Sequence, residues 1–299
     1  MGVRGVRWVV VDRTSLEIAA QPEAWAQAAA ARANGLPSSG QAVAVIGCGT
    51  SYYMAQAYAA LREGAGLGPT DAHVASEYAP TRQVDRVLAI SRSGTTTEVV
   101  RALQVLPEGI ATAAVSAVDA TPVVLATDEA TILGFADEES VVQTRFATSA
   151  LALLRTHLGH DLRPAIADAR TALTQSLPCD PTGFDRFVFL GRGWGVGIAN
   201  EAALKFRESA LAWSESYPAL EYRHGPISLA DERTLVWFVS EPDEQLVRDI
   251  RALGASVVLA GLDPMAELVL VQRTAVALAH ERGLDPDHPR NLQRSVVLG

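Results

Sequence analysis

Residues 87–98 read VLAISRSGTTTE. The four apolar residues at the start predict a short buried strand, and a helix is expected to begin near Glu98. The loop between them contains one glycine and five hydroxyl-bearing residues, Ser91, Ser93, Thr95, Thr96 and Thr97. A strand, a polar loop and a helix in this order form the unit of a parallel sheet covered by helices. Such sheets bind ligands beyond the carboxyl ends of their strands.

This loop is a candidate anion site. The exposed N–H groups at a helix start, together with the helix dipole, favour an anion, and the hydroxyls can donate further hydrogen bonds to phosphate oxygens. Ordinary helix capping is the alternative explanation, because serine and threonine are preferred at the N-cap. One cap needs one hydroxyl, whereas this loop offers five. The composition therefore favours anion binding over capping alone.

The same unit recurs along the chain. A buried strand at 42–46 runs into a second polar loop, Gly47-Cys48-Gly49-Thr50-Ser51, and a helix is predicted from Tyr52 to Glu63. Further strands are predicted at 73–75, 110–115, 130–133 and 187–190, and further helices at 15–31, 142–158 and 199–211, with Thr14 or Ser15 as the first N-cap.

The two halves of the chain resemble each other. Shifted by 144 positions, Gly47, Gly49 and Ala55 fall on Gly191, Gly193 and Ala199, and Glu77-Tyr78 falls on Glu221-Tyr222. Matches between glycines and alanines are common by chance, but the order of strand, loop and helix agrees as well. The pattern predicts an internal duplication, with a boundary near residues 177–181.

Composition limits the class of protein and its partners. The net charge is −9 and no basic cluster is present, which argues against nucleic acid as a partner. No apolar run approaches the roughly 18 residues of a membrane span, and the run at 8–11 is too short for a signal peptide, so the cytoplasm is the expected location. The two cysteines, Cys48 and Cys179, form neither a disulfide framework nor a metal-ligand spacing.

Two nucleotide-binding motifs can be tested directly. A dinucleotide fingerprint, G-x-G-x-x-G, needs a third glycine. After Gly47-x-Gly49 this position is occupied by Tyr52, and the corresponding stretch at 191–196 ends in valine, so both motifs are incomplete. Asp71 does lie near the distance expected for a ribose-binding acid, so NAD binding stays open. A Walker loop needs a Gly-Lys pair, and Lys205, which is the single lysine among 25 basic residues, does not follow a glycine.

The second half holds a group of titratable residues. Glu201, Lys205 and Glu208 are spaced for neighbouring turns of one helix, and a solvated ion pair between Glu201 and Lys205 is the simpler explanation. Glu208 precedes an apolar run and could instead face a pocket, where a carboxylate can move a proton between sugar atoms. His224 stands before Gly-Pro in a rigid turn and has the pKa range for proton transfer near neutral pH. The six histidines form no convincing metal-ligand pair.

These motifs resemble the sugar isomerase (SIS) family, specifically the isomerase half of glucosamine-6-phosphate synthase and its stand-alone relatives. The resemblance covers nearly the whole chain in six ordered segments: Glu17-Ile18 with Gln21-Pro22, residues 47–51, residues 91–96, residues 144–148, residues 201–208 with His224-Gly225-Pro226, and residues 289–296. It implies an α/β fold with two SIS subdomains, each a flavodoxin-like parallel sheet flanked by helices. The predicted division is an N-terminal helical segment at 1–35, subdomains at 36–160 and 181–299, and a linker at 161–180.

The resemblance also implies roles for single residues. Glu208 would shuttle a proton between C1 and C2, Lys205 would sit beside it, and His224 would open the sugar ring from a neighbouring subunit, which implies a homodimer. The phosphate would be held by Ser51, Ser91, Ser93 and Thr96. The remaining substrate-binding positions would be Cys48, Gly49, Thr50, Arg92, Gly94, Gln143 and Arg294. No metal and no organic cofactor is implied.

Three departures from the family pattern bear on the reaction. The chain starts with Met1-Gly2 and shows no glutaminase unit, so it is not expected to release ammonia from glutamine. Arg294 stands where the synthase has a Schiff-base lysine, and a guanidinium cannot form that bond. Arg92 replaces a neutral residue in the phosphate loop, where its charge is expected to strengthen phosphate binding. The chain also looks trimmed between the halves and before the tail.

The sequence therefore predicts a phosphosugar isomerase or deaminase acting on an amino-hexose 6-phosphate. One alternative is a sensor that binds a phosphosugar without turnover, although such regulators usually carry a helix-turn-helix segment, which is not evident here. Another is a deglycase for a phosphorylated sugar–amine adduct, which uses the same chemistry on a larger leaving group.

Overall fold

The first half of the chain builds a five-stranded parallel sheet in the order β2–β1–β3–β4–β5. The computed structural model describes residues 12–81 and 83–298, so the predictions for residues 1–11 lie outside the described part. The central strands are buried along nearly their whole length, as expected for a parallel sheet covered by helices on both faces. The strands are β1 Val43–Gly47, β2 Thr70–Val74, β3 Arg86–Ser91, β4 Ala111–Ser116 and β5 Glu129–Ile132.

The second half repeats this arrangement in a smaller parallel sheet. Its strands are in the order β7–β6–β8–β9, which matches β2–β1–β3–β4 of the first sheet. The strands are β6 Arg186–Gly191, β7 Trp213–Pro218, β8 Thr234–Phe238 and β9 Ser256–Val258. Gly49 and Gly193, which the internal repeat pairs, follow the central strands with φ of 52° and 53°. The topology therefore agrees with the predicted duplication, and the predicted fold class is confirmed.

Helices cover both sheets, and within residues 12–81 and 83–298 no helix has the length and apolarity needed to cross a membrane. The helices are α1 Arg13–Ala19, α2 Gln21–Ala30, α3 Thr50–Gly64, α4 Thr97–Gln104, α5 Pro122–Leu125, α6 Arg145–His157, α7 Arg163–Thr174, α8 Gly195–Ala210, α9 Glu244–Ala252 and α10 Pro264–Glu281.

The N-terminal helix differs from its prediction. The sequence predicted one helix from Ser15 to Ala31, but the chain forms α1 and α2 with a break at Ala20. Pro22 lies in the first turn of α2, the place where proline is best tolerated in a helix. The N-cap is Asp12, whose carboxylate accepts a hydrogen bond from the Ser15 amide, and not Thr14 or Ser15.

The two sheets are joined through the helices α3 and α8, which pack directly against each other. At Gly197 in α8, an added Cβ would lie 2.5 Å from the carbonyl oxygen of Tyr53 in α3, so only glycine permits this approach. One hydrophobic cluster extends from Tyr58 in α3 to Phe206 in α8 and Trp237 in β8. The halves thus share a core, and the carboxyl ends of both central strands lie near the α3–α8 contact.

Residues 161–180, which the sequence predicted as a linker, contain helix α7. The helix packs on α2 and α10 through buried alanines, including Ala165, Ala169 and Ala172. This segment is therefore part of the helical layer that covers the shared core. The domain boundaries remain a prediction.

Candidate active site

The two predicted phosphate loops both follow central strands of the first sheet. Residues 47–51 connect β1 to α3, and residues 91–97 connect β3 to α4. Because β1 and β3 are parallel neighbours, the two loops lie side by side at one edge of the sheet. The sequence prediction that they share an anion site thus has the required topology.

The second loop is held in a tight conformation by its own hydroxyls. Ser91 Oγ accepts a hydrogen bond from the Gly94 amide at 3.2 Å, and Ser93 Oγ accepts one from the Thr95 amide at 3.2 Å. Gly94 has φ of 64°, and an added Cβ would lie 1.9 Å from Thr121 Oγ1. The loop therefore requires glycine here both for its backbone conformation and for space.

The C-terminal tail lies across this loop. Ser295 Oγ is 3.0 Å from Ser93 Oγ and 2.8 Å from Thr95 Oγ1. The carbonyl of Val296 accepts a hydrogen bond from the Thr97 amide at 3.2 Å. This amide is one of the N–H groups at the start of α4 that have no partner within the helix itself. The tail thus uses the same donors that were predicted to bind a phosphate.

Arg92 is directed at the tail and a neighbouring loop. The residue is 2% exposed, and its guanidinium donates to the carbonyls of Ser140 at 3.0 Å, Val141 at 3.2 Å and Arg294 at 2.8 Å. Burial lowers the pKa of Arg92, although the carboxylate of Glu138 at 3.8 Å opposes this effect. The sequence expected this charge to strengthen phosphate binding, whereas its donors are engaged by backbone carbonyls.

The loop at 137–144 is itself fixed by two carboxylates. Glu138 caps α6 by accepting from the amides of Thr144 and Arg145, each at 2.6 Å, and this explains why α6 starts later than predicted. Glu17 of α1 accepts from the Glu139 amide at 2.6 Å and from the Ser140 hydroxyl. Burial raises the pKa of Glu17. Neither carboxylate was predicted as a site residue. The partners of Glu17 lie 122 and 123 positions away, and those of Glu138 include backbone amides, which no side-chain pattern reveals.

Lys205 connects the two halves at the base of the site. Its Nζ lies 2.6 Å from Glu208 Oε2 and 3.1 Å from Glu201 Oε1, and it donates to Thr50 Oγ1 at 3.2 Å and to the Gln143 carbonyl at 3.0 Å. Glu201 is fully buried and Lys205 is 1% exposed, whereas the Glu208 side chain is 19% exposed. The ion pair between Glu201 and Lys205 exists, but the simpler expectation of a solvated pair was wrong.

The burial of this cluster changes its titration. Burial raises the pKa of Glu201 to about 7, against the lowering effect of the Lys205 ammonium. Burial alone would lower the pKa of Lys205, but Glu201 and Glu208 more than offset it and the pKa is raised. Lys205 is therefore protonated at neutral pH. One oxygen of Glu201, Oε2, has no hydrogen-bond partner among the residues that the structure describes. Glu201 is therefore buried beside the candidate site, whereas its spacing from Lys205 had suggested an ion pair on the surface.

A cavity of about 160 Å³ lies between the loops, the tail and the end of α8. A larger cavity of about 370 Å³ lies between α1, α7 and α10, but its lining contains none of the predicted site residues. The smaller cavity is therefore the candidate active site. Eight of the predicted residues line it: Cys48, Gly49, Thr50, Arg92, Thr96, Gln143, Glu208 and Arg294.

The other predicted residues occupy three kinds of place. Lys205 lies behind the cavity wall formed by Thr50 and Gln143. His224 is exposed, lies between two short 3₁₀ turns and is not part of the lining. The remaining four are buried or half-buried in the two loops outside the lining: Ser51, Ser91, Ser93 and Gly94.

No protein-family model matches the chain. A glutamine–fructose-6-phosphate aminotransferase (isomerizing) of Gloeobacter violaceus is 29% identical over 313 residues, which covers 85% of this chain and 51% of that protein. The chain thus spans about half the length of this relative.

Solved structures extend the likeness to the fold. A glucosamine-6-phosphate deaminase of Thermotoga maritima has a TM-score of 0.83 at 28% identity and covers 96% of this chain and 100% of its own. A tagatose-6-phosphate ketose/aldose isomerase of Escherichia coli has a TM-score of 0.76 at 21% identity, with 96% of both chains covered, and supports the fold alone. The resemblance predicted from the motifs is therefore confirmed: in sequence and in fold, the chain is similar to the sugar isomerase family over nearly its whole length.

Proposed function

We propose that the chain is an isomerase or deaminase acting on an amino-hexose 6-phosphate. The likeness to an isomerizing aminotransferase and to a glucosamine-6-phosphate deaminase supports a phosphosugar isomerase role. The observation that carries the proposal is the position of Glu208. Its carboxylate is partly exposed in the cavity bounded by the two anion loops, while Lys205 anchors it from the buried side.

Phosphate binding would orient the substrate. The hydroxyls of Ser93 and Thr95, together with the amide of Thr97 at the start of α4, offer donors that suit phosphate oxygens. These donors are now engaged by Ser295 and Val296, so the substrate phosphate would displace part of the tail. The sugar chain would then extend toward Glu208, which lines the same cavity.

Glu208 would act as the base of the C1–C2 proton transfer. In the open-chain aldose it would remove the C2 proton and return it to C1, which converts an amino-aldehyde through an enolamine into a C2 imine. The hydrogen bond from Lys205 at 2.6 Å would hold the carboxylate in position for this transfer. Hydrolysis of the imine would release ammonia and leave the ketose 6-phosphate, and no metal or organic cofactor takes part.

Ring opening would come from His224 of a second copy of the chain. His224 is exposed and does not line the cavity of its own chain, which fits a residue that completes the site of a partner in a homodimer. An imidazole is a suitable group for proton transfer to the ring oxygen.

The test is turnover of a panel of hexose and amino-hexose 6-phosphates, with ammonia and ketose 6-phosphate followed together. Glu208→Gln is expected to lower turnover about 10²- to 10⁴-fold, because it removes the base and keeps the shape. Glu23→Gln on the surface serves as the matched control, since its exposed carboxylate pairs with the exposed Arg170. Binding without turnover of any sugar in the wild type would reject the enzyme and favour the sensor.

A further inference from the structure

A second cavity borders Glu208 on the side away from the phosphate loops. It has a volume of about 170 Å³ and is formed by the end of α8 and the segment that follows α10. Glu208 lines both this cavity and the candidate active site. A water molecule or ammonia, which occupies about 30 Å³ in the liquid, fits this space easily. The proposed base is therefore within reach of small molecules from two directions.

A histidine–aspartate pair faces this second cavity. His288 Nδ1 lies 2.9 Å from Asp285 Oδ2, and both residues line the cavity. The hydrogen bond from His288 lowers the pKa of Asp285, so Asp285 is ionised at neutral pH. With Nδ1–H directed at this carboxylate, Nε2 carries the lone pair that can accept a proton.

The pair stands on an anchored turn. Asp285 Oδ1 accepts a hydrogen bond from the Asp287 amide at 2.9 Å, and the Asp287 carboxylate in turn accepts from the amides of Arg13 at 2.9 Å and Thr14 at 2.8 Å. The backbone beside His288 is thus tied to the start of α1. This tie holds the imidazole near the cavity although its side chain is 82% exposed.

The proposed reaction contains one step to which no residue has yet been assigned. After Glu208 has moved the C2 proton to C1, the C2 imine must add one water molecule and lose ammonia. We propose that His288, oriented by Asp285, activates this water, and that the second cavity admits the water and releases the ammonia. This inference rests on the proposed deaminase function.

The step balances without any further reactant. His288 Nε2 accepts a proton from the water as the water oxygen forms a bond to C2, and it passes this proton to the imine nitrogen, which gives a neutral carbinolamine. His288 then accepts the proton of the carbinolamine hydroxyl and delivers it to the amine as the C2 carbonyl forms and the C2–N bond breaks, so that one water is consumed and one ammonia leaves. The carboxylates of Glu208 and Asp285 at the cavity wall would attract any ammonium formed there.

The experiment compares two readouts of one reaction in the full chain. With glucosamine 6-phosphate in D₂O, deuterium incorporation at C1 or C2 reports the proton transfer by Glu208, and ammonia release reports hydrolysis of the imine. His288→Gln is expected to lower ammonia release about 100-fold and to keep deuterium incorporation within about twofold. Asp285→Asn should cause a smaller loss of ammonia release only. The exposed pair contributes at most about 1 kcal/mol to stability, so both variants should fold.

The control is His280→Gln, because His280 also pairs with an aspartate, Asp12 at 3.0 Å, but lines other cavities. Unchanged ammonia release in His288→Gln, or an equal loss of both readouts, overturns the role of His288. A wild-type protein that exchanges deuterium without releasing ammonia also overturns it, but leaves an isomerase. A wild-type protein with neither readout rejects the proposed function itself.

Discussion

Replacement of Ser295 by alanine is expected to tighten anion binding. The Ser295 hydroxyl makes two hydrogen bonds, to Ser93 at 3.0 Å and to Thr95 at 2.8 Å, and an incoming phosphate must break them to use these donors. A neutral hydrogen bond contributes about 1 kcal/mol net, so the two together oppose binding by about 2 kcal/mol. This amount corresponds to roughly 30-fold in a dissociation constant. The variant removes this competition from the tail and leaves the Thr95 hydroxyl with its bond to Ser93 Oγ, at 3.1 Å.

The assay is isothermal titration with inorganic phosphate and with a hexose 6-phosphate. Thr174→Ala is the control, because Thr174 is exposed in α7 and its hydroxyl donates to the Arg170 carbonyl at 3.1 Å. Both ligands should bind more tightly to Ser295→Ala than to the control. Weaker binding would mean that Ser295 is itself a ligand of the phosphate, and equal binding would mean that the tail does not compete for the loop. Either result would refute the reasoning.

Two further predictions concern the loop and the buried cluster. Gly94→Ala should abolish phosphate binding and lower the melting temperature, because the new methyl meets Thr121. Gly109 has φ of 87°, and apart from its chain neighbours no described residue lies within 4 Å of an added Cβ, so Gly109→Ala should cost only the backbone strain of about 1–2 kcal/mol. Equal effects in calorimetry would contradict this. The pKa of Glu201 rises from 4.5 to about 7 in the folded chain, so its protonated form stabilises the fold below pH 4.5 and this contribution is lost as the pH rises to 7. In urea unfolding, the free energy of unfolding of the wild type relative to that of Glu201→Gln should fall by about 3 kcal/mol between pH 4.5 and pH 7. A constant difference would show that Glu201 does not titrate with a raised pKa in the folded chain.

Local patterns in the sequence were sufficient for the two loops and for strands that overlap β1 to β6, whereas β7, β8 and β9 were not predicted. Residues 87–90 were predicted as a strand and lie within β3, Arg86–Ser91, because a short apolar run beside a polar loop specifies a buried strand wherever it packs. Glu208 was identified for a related reason: helical spacing places it near Lys205, and the structure puts their charged atoms 2.6 Å apart. These features depend on residues close together in the chain.

Features that depend on distant partners could not be predicted in this way. The burial of Glu201 and Lys205 results from the packing of α3 and α10 on α8, which no spacing within α8 reveals. Arg92 donates to carbonyls 48 and 202 positions away, so its position in the loop suggested a phosphate ligand and not a support for the tail. The N-cap of α1 is Asp12, although Thr14 and Ser15 were equally good candidates. The local sequence does not decide between these three residues.

The burial of the single lysine has a practical consequence for chemical labelling. Apart from the α-amino group, Lys205 carries the only primary amine in the 299 residues, and it is 1% exposed between Thr50 and Gln143. Reagents that acylate amines should therefore leave the folded chain almost unmodified at this side chain. Acylation of Lys205 would require local opening of the wall formed by Thr50 and Gln143. The fraction of protein that carries one acyl group on Lys205, measured by mass spectrometry over time, would therefore report how often this wall opens, without any engineered probe.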